Sequence, residues 1–333
     1  MIVRFGFVAM SMIVQNSSPS KTMTMASFNK IADRDAALRK LERIGLENLH
    51  NTLRILKHCI AHEIKVYRFS SKLVPLATHP DLTDWNPMAV LQDSFAEIGD
   101  YVNKHGMRVS FHPDHFTVLS TPRSEVLINS VRDLHHHVTM LTAMGLTATA
   151  KNNIHIGGAY GDKLSAAARF EEHFSQLDVG VKERLTLEND DKTFNALETL
   201  RVCQKTGLPM VIDIHHQWVN NEGETPWELW PDILKTWQST LAQADALPGV
   251  PLAPKIHVSS PRSTTDIRSH ADGIEIGSLL DFLRHISRDT GHLDVMIEAK
   301  NKDVALFELM KDMGQFASEG VTIRDGASIE ILP

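Results

Sequence analysis

Short apolar runs alternate with amphipathic segments along the whole chain. Eight runs carry strand patterning: 2–8 (IVRFGFV), 64–69 (IKVYRF), 107–112 (MRVSFH), 153–158 (NIHIGG), 184–189 (RLTLEN), 209–215 (PMVIDIH), 254–260 (PKIHVSS) and 293–299 (LDVMIEA). The segments between and after them repeat apolar positions at helical spacing, over 33–61, 88–105, 124–144, 163–177, 193–206, 226–245, 276–289 and 302–317. Pro75, Pro80, Gly145, Gly207 and Pro254 punctuate the joins. Eight strand–helix units without a break in composition predict a (β/α)8 barrel, a TIM barrel, formed as one domain over residues 1–333. The longest irregular stretch, near 15–30, follows the first strand, on the face where such barrels place their active sites.

The strands turn polar where they end. The third ends at His112 and the fifth at Glu188; the sixth carries Asp213 with His216 three positions on; the seventh carries His257 and the eighth Glu298. His155 lies in the fourth, just before Gly157 and Gly158, and His270 follows the seventh. One such residue alone reads as a helix cap or a hydrogen-bonded histidine. Five imidazoles and three carboxylates at one pole of a barrel are too many to bury without partners, at several kcal/mol per uncompensated charge. His135, His136 and His137 are consecutive on a helix and are expected to be mostly exposed; His215 faces away from its neighbours and is expected to be structural.

Composition sharpens this picture at three points. The chain has 18 His, a rich supply of the commonest metal ligand. Its net charge of −7 lacks the basic footprint of a nucleic-acid binder, a deficit that bound cations would offset locally. Cys59 and Cys203 fall in separate helical segments and read as buried free thiols of a reducing cytoplasm, while no segment reaches membrane-spanning length. The N-terminal MIVRFGFVAMSMIVQ reads as a first barrel strand, not a signal peptide, because no small-residue cleavage site follows. Eight N and O donors exceed what one ion takes, so two or three metals sharing carboxylates are expected, Mn or Zn by ligand type. Clusters of this kind serve phosphodiester hydrolysis.

The motifs YRFSSKLVPLATHP (67–80), FHPDHFTVLSTPR (111–123), HIGGAYGDK (155–163), RLTLENDD (184–191), DIHH (213–216), PKIHVSSPR (254–262), RSHADGI (268–274) and IEAKNKDVAL (297–306) follow one another, one per strand–helix unit. In this order the chain resembles the ultraviolet-damage endonucleases, relatives in fold of endonuclease IV and the xylose-isomerase-like barrels. The resemblance implies a trinuclear site, usually manganese with Zn2+ or Mg2+ as substitutes, and incision of double-stranded DNA 5′ of cyclobutane dimers and 6-4 photoproducts. It makes His112, His155, Glu188, Asp213, His216, His257, His270 and Glu298 the expected metal ligands, with Glu188 and Glu298 bridging. Lys255 shares a strand face with His257 and is expected either as a carbamylated catalytic lysine or as an ammonium paired with Asp213 or another acid.

For lesion contacts the resemblance implies a Gln–aromatic pair after the third strand, here His115 and Phe116, and a Tyr and an Asn near the first, here Phe7 and Ser11. Tyr160, Lys163 and Arg268 complete the expected DNA contacts. The rivals are an abasic-site endonuclease of the endonuclease IV type and a metal-dependent sugar isomerase or epimerase. The first usually has an Asp where Arg268 stands, and His216 and His270 supply a third metal position that the second does not need. The expected protein is a monomer in the cytoplasm with no membrane partner. In the LENDD stretch, Glu188 is expected at the mouth, with Asn189, Asp190 and Asp191 orienting the site and capping the next helix.

Overall fold

All eight apolar runs become parallel strands in the computed structural model, which describes residues 1–245 and 252–332. They are β1 (Ile2–Val8), β2 (Val66–Arg68), β3 (Arg108–Phe111), β4 (Lys151–His155), β5 (Leu185–Glu188), β6 (Met210–Asp213), β7 (Lys255–Val258) and β8 (His292–Ile297). Each pairs with the next, and β1 pairs with both β8 and β2, which closes the barrel. Gly6 is required at that closure: a Cβ there would lie 2.1 Å from the carbonyl oxygen of Val66. The intervening helices include Arg34–Ala61, Gln92–His105, Ser124–Ala143, Ala196–Thr206 and Lys302–Met313, and bury their apolar stripes against the strands.

Beyond the expected units, β9 (Val321–Asp325) and β10 (Ser328–Ile331) form an antiparallel hairpin. β10 pairs with the lower half of β1, Ile2–Arg4, whereas β2 pairs with the upper half, Gly6–Val8. The hairpin therefore fills the floor of the barrel where β1 and β2 part. The turn is fixed by Asp325, whose side chain accepts from Ala327 N at 2.9 Å. The histidine run also departs from expectation: His137 is buried, its Nδ1 hydrogen-bonded to Asp133 O at 2.8 Å and its ring edge-on to Phe111, while His135 and His136 are half-buried. A helix packed on a barrel has to turn one of three consecutive residues inward.

The barrel interior is polar below the mouth as well as at it. Arg4, Arg108, Lys151, Lys255 and Asp294 occupy the lower parts of their strands, and all but the partly exposed Arg4 are buried. Lys151 donates to Glu183 O at 2.6 Å, and burial, aided by Arg108 and Arg184, lowers its pKa to about 7. Between that value and the ordinary 10.5 the unfolded chain holds a proton that the folded chain has lost, so this residue makes stability rise with pH across the window. Lys151→Met is expected to stabilise the protein at pH 7, by roughly 4 kcal/mol at most, with the gain vanishing by about pH 10. Denaturant titrations of both proteins at the two pH values check this, and a gain independent of pH would contradict it.

Candidate metal centre

Strand register brings the polar ends together. His155 stands beside Glu188 across β4 and β5, and Asp213 beside His257 across β6 and β7. Among the described residues, three groups each place one ligand atom per residue within 4.8 Å of one another: His112, His155 and Glu188; Glu188, Asp213 and His216; Glu188, His257 and Glu298. Glu188 belongs to all three. His270, held in the loop by an isolated bridge to Pro261, lies outside these groups, but its ring centroid is 6.4 Å from that of His216.

The imidazoles are oriented by the backbone. Nδ1 of His112, His155, His216 and His270 faces the carbonyl oxygens of Pro113, Glu188, Asn189 and Glu298, at 3.0, 3.2, 3.0 and 2.8 Å. A carbonyl can only accept, so each Nδ1 carries a proton and Nε2 is the atom left for a cation, at His112 in exchange for the hydrogen bond that Nε2 makes to Glu188 Oε2 at 3.2 Å. His257 is turned the other way: its Nδ1 lies 3.1 Å from Glu188 and 3.0 Å from Glu298 without an aligned hydrogen bond to either. Asp213 Oδ1 accepts from His216 N at 2.7 Å as the cap of helix Ile214–Val219, while its buried Oδ2 has no hydrogen-bond partner among the described residues. Converging groups that leave Asp213 Oδ2 and His257 Nδ1 unbonded among the described residues fit cations.

Charge follows the same geometry. Burial opposes ionisation of Glu188, yet His257 and His155 hold its carboxyl well below the usual range; burial acts likewise on Glu298 and is outweighed by Arg68 and His257. Burial pushes Asp213 up, only partly offset by His216. Burial also opposes charge on His257 and His216, but the surrounding carboxylates raise both to about 9. Protons on these two rings thus stand in for positive charge that the carboxylates require.

Two residues without a sequence-based expectation, Asn153 and Arg68, support these groups together with Asn189, which was expected to orient the site. Asn153 donates to Glu188 Oε2, and Arg68 Nη1 pairs with Glu298 Oε1. Asn189 clamps Asp213 through both backbone groups, accepting from Asp213 N at 2.9 Å and donating to its O at 3.1 Å. Period-2 alternation placed Asn153 on the face of His155, a signal present in the sequence. Asp190 accepts from Lys192, Thr193 and Phe194 N and closes the turn, but the next helix is capped by Asn195 with Glu198 in a capping box. Lys255 donates to Ser110 Oγ at 2.9 Å and forms no ion pair with Asp213 or another acid among the described residues; burial, with Arg108, pushes its pKa well down.

Of the expected DNA contacts, Phe7 is excluded: it is 0% exposed and packs edge-on against Tyr67 in the core. Ser11 is also diverted inward, its hydroxyl donating to buried Asp303 and accepting from Ile13 and Val14 N. Lys163 is held by both oxygens of Glu198, at 3.1 and 2.9 Å. His115 and Phe116 project into solvent with rings 4.0 Å apart, and Phe116 is 74% exposed. Tyr160 and Arg268 are exposed, the latter 3.7 Å from Asp191.

The family described as UV-endonuclease UvdE matches residues 3–328. The chain belongs to this family. A UV DNA damage endonuclease of Bacillus pumilus is 44% identical over 331 residues, 99% of each chain, and one of Bacillus velezensis is 42% identical over 94% of each. The solved structure of SacUVDE superposes with a TM-score of 0.79 at 26% identity, covering 95% of this chain and 99% of that one. Endonuclease IV from Thermus thermophilus shares the fold, at a TM-score of 0.52 and 14% identity over 95% of this chain and 99% of the other.

Proposed function

We propose that the chain, acting as one monomeric domain over residues 1–333, hydrolyses the phosphodiester 5′ of cyclobutane dimers and 6-4 photoproducts in duplex DNA. The observation that carries this reading is Glu188, common to three convergent donor groups, with Nδ1 of His112, His155 and His216 held by backbone carbonyls. His112, His155, Glu188, Asp213, His216, His257, His270 and Glu298 would hold two or three divalent cations, Mn2+ by preference. Such cations supply an activated water and neutralise the charge that develops on the leaving oxygen.

The chain's own residues position and protect this chemistry. Asn153 and Arg68 fix Glu188 and Glu298, and Asn189 fixes Asp213. Lys255, an amine whose pKa burial pushes well down, is suited to carbamylation. His115 and Phe116 meet the lesion, with Tyr160 and Arg268 placed toward the backbone. Buried free thiols at Cys59 and Cys203 agree with a reducing cytoplasm, and no helix among the described residues is long and apolar enough to cross a membrane.

A labelled duplex with one thymine dimer, incubated with protein and Mn2+, is expected to be cut immediately 5′ of the dimer and spared by chelator. An intact duplex under both Mn2+ and Zn2+ would sink this reading.

A further inference from the structure

Two clefts open on the mouth of the barrel. One, of about 420 Å³, has Arg68, Ser71, Lys72, His112 and Glu298 in its walls. The other, of about 290 Å³, has Gly157, Asp190, Asp191, Lys192 and His216. Pro113, Asp114, His115 and His155 line both, so the clefts adjoin along the loop after β3 and meet at His155. Together they make one trough across the donor groups, with the loop after β2 along one arm and the turn after β5 along the other.

Among the Lys, Arg, Asp and Glu side chains of this trough, the acids are compensated and two cations are not. Glu298 holds Arg68. Asp114 accepts from His115 N at 2.8 Å and lies 2.7 Å from its ring. Asp191 is 3.7 Å from Arg268, and both oxygens of Asp190 are taken by the N–H groups of Lys192, Thr193 and Phe194. The ammonium groups of Lys72 and Lys192 are exposed and have no partner among the described residues. A free surface lysine is ordinary, but these two rise from anchored backbone beside the donor groups. Buried Asn48 donates to the carbonyl oxygens of Lys21, Lys72 and Leu73 at 2.8, 3.3 and 3.0 Å, and Lys72 N donates to Ser70 Oγ at 3.1 Å. The turn that carries Lys192 is pinned in turn by Asn220, which donates to Asp190 O at 2.9 Å. Anchored stems lower the ordering cost of binding.

Resting on the endonuclease reading, we propose that this trough carries the sugar–phosphate backbone of the incised strand across the metal centre, with Lys72 and Lys192 each holding a phosphate, one on either side of the scissile bond. The chemistry selects the ligand. Compensated acids and uncompensated ammonium groups favour an anion, and two such groups in the two arms of a trough favour a polyanion over a lone phosphate. An ammonium binds phosphate as a point charge and reads no base, so these contacts set the register of the strand and leave lesion choice to other residues. Both lysines are positioning residues: phosphates held on the two sides leave the bond between them over the donors.

The test is Lys72→Gln and Lys192→Gln, singly and together. Lys104→Gln, which alters an exposed lysine at the end of the helix that leads into the base of β3, is the control. In single-turnover cleavage of the thymine-dimer duplex with Mn2+, the dependence of log half-saturating concentration on log KCl is expected to lose about 0.9 of slope per lysine and about 1.8 in the double variant. At about 0.1 M KCl the half-saturating concentration should rise about fivefold per substitution, with the maximal rate changed less than about threefold. Equilibrium binding in chelator, where nothing is cut, should show the same loss of slope, and Lys72→Arg with Lys192→Arg should restore it. Methylphosphonates placed one at a time near the incision site identify the phosphates. One position should weaken the wild type about fivefold and Lys72→Gln less than about twofold, and a position on the other side of the incision site should do the same for Lys192→Gln. Slopes equal to that of Lys104→Gln, losses that neither substitution abolishes, or both coupled positions on one side would overturn the proposal. A wild-type protein that binds with the lysine-dependent slope yet fails to cut would sink the endonuclease reading instead.

Discussion

Glu188→Gln is expected to reduce cleavage of dimer-containing DNA by at least about a thousandfold, equivalent to roughly 4 kcal/mol of transition-state stabilisation. The size follows from position. Glu188 is the one residue shared by all three donor groups, so the loss of its charge weakens every candidate cation position together. Glutamine keeps the volume and an oxygen for the Asn153 amide, and the fold should persist with a cooperative unfolding transition. Metal content after Mn2+ loading and gel filtration should fall along with activity. Full activity with undiminished metal would show that the carboxylate serves only to balance the nearby imidazoles. Asn153→Ala provides a graded comparison: it leaves the charge and removes its orientation, so a loss of about 10- to 100-fold is expected.

The barrel was legible because parallel strands buried on both faces read as short apolar runs, and all eight runs became strands within a few residues. The convergence of candidate ligands was legible for a related reason: ionisable groups at apolar strand ends are costly unless paired. Period-2 alternation then carried further than the reading used it. The face that holds His112 also holds Ser110 and Arg108, and the face that holds Glu298 also holds Asp294, so a polar interior was written in the same strands. The terminal hairpin was missed although VTIRDGASIEI has a DG turn between apolar alternations, because it adds nothing to a count of strand–helix units.

The lesion contacts were the least legible part, and the reason is physical. Which side of the first loop faces out depends on Asp303, nearly three hundred residues away in sequence, whose carboxylate captures Ser11 and Met12. Position along the chain cannot reveal that capture. Phe7 fails as a contact for a simpler reason: it alternates with Gly6 and Val8, and its face of β1 points away from the barrel interior into the core.

The floor of the barrel leads to the second large effect: Asp294→Asn is expected to destabilise the protein by about 3–5 kcal/mol. Asp294 is fully buried, accepts from Arg4 Nε at 2.7 Å and lies 3.7 Å from Arg108 Nη1. Arg108 is buried too, and none of its three side-chain nitrogens makes a hydrogen bond within the described residues. Burial pulls its pKa down to about 10, with Asp294 the main opposing influence. Removal of this one anion leaves a buried guanidinium facing Arg4 and Lys255 without compensation, a more costly change than replacing the pair by apolar groups. Denaturant unfolding should therefore show a lower midpoint at unchanged slope, and Arg108→Met in the Asp294→Asn background should recover part of the loss. If Asp294→Asn alone costs less than about 1 kcal/mol, the cations of the floor are held by something other than this carboxylate. The coupling matters for the site above, because the same strands carry Arg108 and His112, Lys255 and His257, and Asp294 and Glu298. A floor that keeps its charge balanced holds those strands in the register on which the donor groups depend.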